Sequence, residues 1–226
     1  MLIEKKLTTG IFCFELKNRF RCMVDIQGEQ HICYVASSSR LSNFIELSDK
    51  TVLLLPPGEN AGSTDFTLFA VKYRNSLILL NLSLVNAVLE EQLKRKCFSF
   101  LGKRKEILKE HNYKGYKADL FIKDTETVIE IKTVLSTEEE TVFPTVRSER
   151  IIRQLKHLNQ LLEEGHRCCM LFVSLSPTIR SIDLSRDPEV HRLFKRCVEN
   201  GLSFKAFRLK TTEESIIVGR SVELCF

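Results

Sequence analysis

The sequence predicts a mixed α/β protein with two domains, a small β-barrel at residues 1–80 and an α/β domain at residues 81–226. Three observations predict it. Short apolar runs separated by turn residues fill the first eighty positions, helical periodicity begins at Leu82, and helices and strands alternate from there on. A hydrophobic content of 43% is enough for one large core or two small ones.

The N-terminal part is interpreted as six short strands. The runs are FCFEL, RCMVDIQ, HICYVA, KTVLLL, FTLFAVKY and SLILLN, with turn signals QGE, PPGEN and RNS between them. An OB-like barrel is one way for so many short strands to leave no open edge. Five aromatic residues could stack on bases if exposed, but their alternation favours core packing. They are Tyr34, Phe44, Phe66, Phe69 and Tyr73.

The C-terminal part begins with a helix from Leu82 to about Cys97, with Ser83 as a candidate N-cap. Two β-rich segments follow, KADLFIK and TVIEIKTV. An amphipathic helix ending at Gly165 comes next, and the buried strand CCMLFVSL, the helix DPEVHRLFKRCVENG and the strand SFKAFRL complete the series. This order predicts a mixed α/β layer.

Several classes of protein are not supported by the sequence. No apolar run approaches the roughly 18 residues that span a bilayer, and the charged N-terminus lacks a signal peptide, so we expect a soluble cytoplasmic protein with no membrane partner. The eight cysteines include no CxxC pair and lie mostly in apolar runs, which indicates reduced, buried side chains. No glycine-rich nucleotide loop and no GxSxG motif occurs.

The two β-rich segments carry a pair of carboxylates. Asp119 and Glu130 lie eleven residues apart, so folding of the hairpin brings them together. Lys132 shares the strand face of Glu130, while Ile129 and Ile131 point the other way, so we expect one buried face and one that presents a carboxylate and an amine. The two carboxylates and the Ile131 carbonyl could bind Mg²⁺, or Mn²⁺ in its place, and Lys132 could hold or activate a water.

The net charge of +5 is modest, but its distribution is uneven. Residues 94–117 contain nine basic and two acidic side chains, which suits a polyanion such as nucleic acid. A solvated helix face explains the same charges equally well. If the stretch binds nucleic acid, Lys103, Arg104 and Lys105 are the candidate contacts.

The carboxylate and lysine pattern resembles the PD-(D/E)xK nuclease core, and the whole chain resembles the sugar fermentation stimulation protein A family. The matching segments are KNRF at 17–20, SLILLNLSLVN at 76–86, ADLF with EIKTV, FP at 143–144, SER at 148–150, EGHRCCMLFV at 164–173 and DPEVHRLFKRCVENG at 187–201. The resemblance implies an N-terminal OB-like barrel joined to a restriction-endonuclease-like α/β domain, with nonspecific DNA binding, a nuclease-like site and a regulatory link to sugar use.

The resemblance also singles out further residues. The segment VASSSR at 35–40 keeps Arg40 as a candidate nucleic-acid contact but departs from the family pattern around it. Glu91 is a candidate metal ligand, Glu149 a candidate catalytic residue and Arg150 a candidate phosphate contact. Gln154 stands where the family pattern leads us to expect histidine, and its amide could still hold a water or a phosphate.

These observations predict a nonspecific DNA-binding protein with a Mg²⁺-dependent phosphodiester-hydrolysing site, for DNA or RNA. The main alternative is a non-catalytic DNA-binding regulator with a vestigial nuclease fold. In a third interpretation the chain is a protein-interaction module in which Asp119, Glu130 and Lys132 form a surface salt bridge worth roughly 0–1 kcal/mol. A homodimer is compatible with all three.

Overall fold

The computed structural model describes residues 1–37, 39–58 and 62–226. Parts of the predicted PPGEN turn and of the VASSSR segment therefore lie outside the described residues. Five of the six predicted N-terminal strands close into a barrel, and the sixth, SLILLN, lies outside it. The barrel strands are β1 (Thr8–Glu15), β2 (Arg21–Ile26), β3 (Glu29–Tyr34), β4 (Thr51–Leu55) and β5 (Phe66–Tyr73).

The barrel closes in the order β1-β2-β3-β5-β4, and β4 pairs back onto β1. The pair β3–β5 is parallel and the other four pairs are antiparallel. Of the five N-terminal aromatic residues considered for stacking, Phe69 is fully buried, and Phe44, Phe66 and Tyr73 are partly buried and pack against the core. Core packing is therefore the main role of these rings.

Most of the strands outside the barrel form a mixed sheet between helices. Its strands are β6 (Ser76–Leu79), β7 (Ile107–Tyr113), β8 (Tyr116–Ile122), β9 (Thr127–Val134), β11 (Arg167–Ser174), β13 (Ser203–Thr211) and β14 (Ile216–Ser221). The order β6-β13-β11-β9-β8-β7 continues from the barrel, because β6 pairs with both β5 and β13. The strands β9, β11 and β13 are parallel, and β14 pairs with β13. A mixed α/β fold with an OB-like barrel is thus confirmed.

Three helices accompany the sheet: α1 (Leu84–Gln92), α2 (Glu149–Glu163) and α3 (Pro188–Glu199). The Asp187 carboxylate caps α3 by accepting hydrogen bonds from the N–H groups of Glu189 and Val190. Gly165 ends the α2 segment with a φ of 84°, which costs glycine nothing. No helix in the described residues is long and apolar enough to cross a membrane.

Some elements differ from the prediction. The first helix ends at Gln92 and is followed by a short 3₁₀ helix at Lys96–Leu101. The basic stretch 94–117 is therefore not one solvated helix, since β7 occupies much of it. A small parallel sheet was also not predicted, because its strands β10 (Glu140–Val142), β12 (Ser181–Asp183) and β15 (Glu223–Cys225) have only three residues each.

Two hydrophobic cores cover the two faces of the C-terminal sheet. The first joins the barrel, α1 and one face of the sheet, and it includes Phe69, Ile129 and Phe207. The second lies between the other face and the helices α2 and α3. Five of the eight cysteines are buried, as expected for side chains in apolar runs, and Cys97 and Cys225 are exposed. The boundary between residues 80 and 81 stays a prediction, because one core spans both parts.

The close approach of β2 to β1 makes Gly10 a position where no larger residue fits. A Cβ atom there would lie 2.5 Å from Val24 Cγ1 and 2.9 Å from the Asp25 carbonyl oxygen. We expect Gly10→Ala to lower the free energy of unfolding by about 1–3 kcal/mol through overpacking. Among the described residues, no atom lies within 4 Å of the Cβ position of Gly58, so Gly58→Ala should change stability by less than about 0.5 kcal/mol. Urea denaturation of both variants is the measurement, and equal stability would exclude close packing at Gly10.

Candidate functional site

The hairpin of β8 and β9 brings Asp119 and Glu130 together. The paired register runs from Ile122 opposite Thr127 to Leu120 opposite Ile129, so the next two residues in register are Asp119 and Glu130. At this position a side chain replaces the backbone acceptor of the ladder: Asp119 Oδ2 accepts a hydrogen bond of 2.8 Å from the Ile131 N–H. The backbone of β9 thus orients the first carboxylate.

Strand β8 changes face at Asp119. Tyr116 and Ala118 pack in the core beneath α2 and α3, whereas Leu120 and Ile122 pack in the core shared with the barrel. The neighbouring residue on β7, Glu110, has a φ of 46°, which is unusual for a residue other than glycine. The change of face at Asp119 leaves the Tyr116 ring on the same side of the sheet as Glu130.

The Glu130 carboxylate has a hydrogen-bond donor from each of three elements. The Tyr116 hydroxyl of β8 donates to Oε2, the Lys132 ammonium of β9 lies 2.6 Å from Oε1, and the Gln154 amide of α2 donates to Oε1 at 2.5 Å. The Gln154 Oε1 atom also accepts from Lys132 Nζ at 2.6 Å. The result is a closed triangle of carboxylate, ammonium and amide.

The expectation that β9 presents one open polar face is wrong. Glu130 is only 1% exposed and the Lys132 side chain 12% exposed, because α2 covers this face of the sheet. Strands of a parallel sheet flanked by helices are buried on both sides. The pair of Glu130 and Lys132 is therefore a buried ion pair, which also removes the interpretation of these residues as a surface salt bridge.

Burial and charge change the protonation of this site. Loss of solvent, followed by the negative charge of Glu130, raises the pKa of Asp119 from 3.8 to about 6. The Ile131 N–H, the Lys132 ammonium and the Arg150 guanidinium act in the opposite direction. Burial and the neighbouring Glu130 also raise the pKa of the Tyr116 hydroxyl, so Tyr116 remains a hydrogen-bond donor at neutral pH.

Both carboxylates line a cleft of about 340 Å³ between the barrel and the C-terminal part. Ser37, Ser39 and Phe44 contribute from the barrel side, and the segment 143–148 contributes from the loop before α2. Its volume is within the range of small-molecule and cofactor sites, which starts at about 300 Å³. The cleft therefore has the size of a small-ligand site and is lined by both carboxylates.

The cleft contains some of the predicted site residues. Lys132, Ile131 and Gln154 line it together with Asp119 and Glu130. These five residues are the core of the candidate site, and Arg150 lines the cleft as well, with an exposed side chain.

Other candidates lie elsewhere. Glu149 does not line the cleft, and its exposed carboxylate faces Arg147 at 3.8 Å. Glu91 lies in a separate depression and forms an ion pair of 3.0 Å with the amino group of Met1. The Arg40 guanidinium donates hydrogen bonds to the carbonyl oxygens of Leu16 and Lys17, so its contacts are with the protein backbone. The structure thus brings neither glutamate to the Asp119 carboxylate.

The three basic residues of the stretch 103–105 lie near the turn of the β8–β9 hairpin. Lys103 pairs with Asp124 at 3.2 Å, and the Asp124 carboxylate also accepts from the Lys105 N–H at 2.6 Å. The Arg104 guanidinium donates to the carbonyl oxygens of Leu93 and Gly102. Asp124 lies five residues from Asp119, or roughly 17 Å along a strand, so these cations do not line the cleft.

The groups at the cleft that could hold a hard cation such as Mg²⁺ are carboxylate and carbonyl oxygens. Asp119 uses only Oδ2 for a hydrogen bond among the described residues, which leaves Oδ1 free. The N–H and C=O of one strand residue face the same edge of the strand. Because the Ile131 N–H points to Asp119, the Ile131 carbonyl oxygen faces the edge on which Asp119 lies. No group of three or more His, Cys, Asp or Glu side chains that could hold a metal occurs in 1–37, 39–58 or 62–226. Mg²⁺ often takes only one or two carboxylates and keeps several waters.

Tyr116 is the site residue that the sequence reasoning did not identify. Strict alternation from Asp119 along β8 places Tyr116 on the opposite face of the strand, and the change of face at Asp119 reverses that assignment. A tyrosine three residues before the carboxylate was the available signal. The sequence alone therefore gives an incomplete set of site residues, and the structure adds Tyr116 to it.

The fold and the site define a two-part α/β protein in which a closed barrel and a mixed sheet enclose a buried carboxylate and lysine cleft. The family model described as sugar fermentation stimulation protein RE domain matches residues 83–215, more than half of the chain. The chain belongs to the SfsA, or sugar fermentation stimulation protein, family.

Relatives and a solved structure agree with this assignment. The chain is 26% identical to the sugar fermentation stimulation protein homolog of Desulforamulus reducens, over 91% of this chain and 87% of that protein. It is 26% identical to the homolog of Caldivirga maquilingensis, over 96% and 94%. The structure of Pyrococcus furiosus SfsA in complex with Ca²⁺ matches with a TM-score of 0.85 at 21% identity, covering 100% of this chain and 98% of that one. The last match establishes the shared fold.

The raised pKa of Asp119 leads to a pH-dependent stability. The folded state holds the Asp119 proton more tightly than the unfolded chain does. Protonation of Asp119 therefore stabilises the fold below about pH 4, and this stabilisation is lost as pH rises to about 6. Asp119→Asn cannot ionise. We expect its free energy of unfolding, relative to wild type in EDTA, to rise by about 1–3 kcal/mol between pH 4 and pH 7.5. Urea denaturation at both pH values measures this, and a constant difference would mean that Asp119 is not buried as a charge.

Proposed function

We propose that this protein binds nucleic acid without sequence specificity and hydrolyses phosphodiester bonds with Mg²⁺ in the cleft. The observation that carries the proposal is the meeting of Asp119 and Glu130 at a cleft, with the Lys132 ammonium 2.6 Å from the second carboxylate. DNA is the proposed substrate and RNA the alternative, and Mn²⁺ could replace Mg²⁺ because it also accepts oxygen ligands.

Each residue of the cleft has a role in this proposal. Asp119, Glu130 and the Ile131 carbonyl would hold the cation, which supplies a Lewis acid and a water of lowered pKa when bound. The Lys132 ammonium stabilises negative charge that develops on the phosphoryl group. Gln154 holds Lys132 in place through its Oε1 atom. The Pyrococcus furiosus relative forms a complex with Ca²⁺, a hard cation that also takes oxygen ligands, and this supports the proposed donor set.

One observation favours the alternative of a non-catalytic regulator. Both oxygens of Glu130 already accept hydrogen bonds, from Tyr116, Lys132 and Gln154, so this carboxylate is satisfied without a cation. In that case the cleft would bind nucleic acid and leave it intact. The name that the relatives carry would then reflect regulation of sugar use through DNA binding.

A direct assay separates these functions. Purified protein is incubated with labelled single- and double-stranded DNA and RNA in Mg²⁺, Mn²⁺ or EDTA. Cleavage that depends on the cation supports the nuclease, and binding without cleavage supports the regulator. If the protein neither binds nor cleaves any of these substrates, both proposed functions are contradicted.

Substitutions in the cleft test the assigned roles. Asp119→Asn keeps the acceptor for the Ile131 N–H but removes a negative ligand, so we expect loss of Mg²⁺-induced thermal stabilisation and of cleavage. Nucleic-acid binding should remain or tighten slightly. Lys132→Gln keeps a donor beside Glu130 and should retain Mg²⁺-induced stabilisation while cleavage falls about 100-fold or more, as for loss of one transition-state donor.

These rates are measured below the melting temperature of each variant, because removal of one partner from a buried ion pair costs about 3–5 kcal/mol. If Asp119→Asn cleaves as fast as wild type, the hairpin takes no part in the reaction.

Arg150 is a basic side chain of the cleft wall that we expect to contact a phosphate. Neutralising Arg150 with Gln should weaken binding of a duplex and reduce the slope of log K against log salt by about 1. Arg153→Gln is the matched control, since Arg153 is exposed on the same helix and does not line the cleft. Fluorescence anisotropy over a salt series measures both, and equal slopes for the two variants would exclude a specific role for Arg150.

A further inference from the structure

The turn between β1 and β2 presents basic and aromatic side chains to solvent. Residues 17–21 read KNRFR, with three basic side chains and no acidic one. Phe20 is 37% exposed, and the Arg19 guanidinium lies 4.8 Å from the centre of its ring. An aromatic ring and a planar cation are both groups on which nucleic-acid bases stack.

A β-bulge exposes a second ring beside this turn. Phe12 pairs with Val24 and Phe14 pairs with Met23, so one extra residue, Cys13, lies between the two pairs. Without the bulge, alternation would place Phe14 on the buried face with Phe12. With it, Phe12 remains in the core and Phe14 is 50% exposed. The local structure thus moves a large apolar side chain outward.

The turn is held in one conformation. The Asn18 side chain accepts a hydrogen bond of 3.0 Å from the Phe20 N–H, and the Phe20 carbonyl accepts one of 2.8 Å from the Val35 N–H. The Arg40 guanidinium donates to the Leu16 and Lys17 carbonyl oxygens at 3.2 and 2.9 Å. A preorganised surface loses less conformational entropy when a ligand binds.

The same contacts join the turn to the cleft. The Glu15 carboxylate accepts hydrogen bonds from the N–H groups of Leu41 and Ser42, at 2.7 and 3.1 Å. These residues belong to the segment that supplies Ser39 and Phe44 to the cleft wall. The segment 39–44 therefore contacts both the cleft and the end of β1 that leads into the basic turn, and the Glu15 carboxylate at that strand end accepts hydrogen bonds from the backbone.

We infer that the turn surface, formed by Phe14, Lys17, Arg19, Phe20 and Arg21, docks single-stranded nucleic acid and leads it into the cleft. The link to the cleft rests on the proposed function. The exposed rings favour a single strand, because stacking on a side chain needs base faces that a duplex keeps within its own stack. The three basic side chains complement the phosphates.

The test measures the affinity of the full-length protein for a labelled 15-nucleotide oligo(dT), for oligo(rU) of the same length and for a 15-base-pair duplex, all in EDTA. We expect Phe14→Ala and Phe20→Ala each to weaken binding of the single strands by roughly tenfold, the effect of losing one stacked base, and to leave duplex binding unchanged. Phe100→Ala is the matched control, because Phe100 is 42% exposed with the Lys205 ammonium 5.8 Å from its ring. It should change neither affinity.

Several results would overturn the inference. One is an equal loss for single strand and duplex, which would indicate phosphate contact only. Another is that both variants bind with the affinity of wild type. If the sedimentation coefficient of the variants then differs from that of wild type, the surface is a contact between copies of this chain. Because these measurements need no cleavage, absence of nuclease activity in Mg²⁺ would contradict the proposed function and leave the docking result to stand or fall separately.

Discussion

The buried carboxylate of Glu130 is the constraint on which the rest of the site depends. Within a sheet that is covered on both faces, an ionised carboxylate must find donors or a cation, since leaving it unpaired costs several kcal/mol. The chain supplies donors from β8, β9 and α2, namely Tyr116, Lys132 and Gln154. These hydrogen bonds connect α2 to the β8–β9 hairpin. The position of the cleft therefore depends on how the Glu130 charge is paired.

The barrel and the mixed sheet form one packed unit around this charge. Strand β6 pairs with β5 of the barrel and with β13 of the sheet, and the first hydrophobic core contains Phe69 from the barrel and Ile129 from β9. Asp119 stands where β8 passes from one core to the other. The cleft lies at the same junction, which explains why residues of both parts line it.

Local signals predicted much of the fold. The six N-terminal strands and the later helices follow from alternation, 3.6-residue periodicity and turn residues, and the spacing of Asp119 and Glu130 predicted their meeting in a hairpin. Strand β7 was missed because it is an edge strand with a largely polar sequence, ILKEHNY, which resembles a solvated segment. The positions of Gln154 and Glu91 depend on how helices pack on the sheet, and no sequence spacing contains that information.

The measurement that tests the metal site most directly is an anomalous difference map from crystals soaked in saturating Mn²⁺. We expect one peak coordinated by the Asp119 carboxylate, with water molecules among its remaining ligands. The peak should be absent from crystals of Asp119→Asn treated in the same way. No peak beside Asp119 in the wild-type protein, or the same peak in the variant, would contradict a cation site at this hairpin.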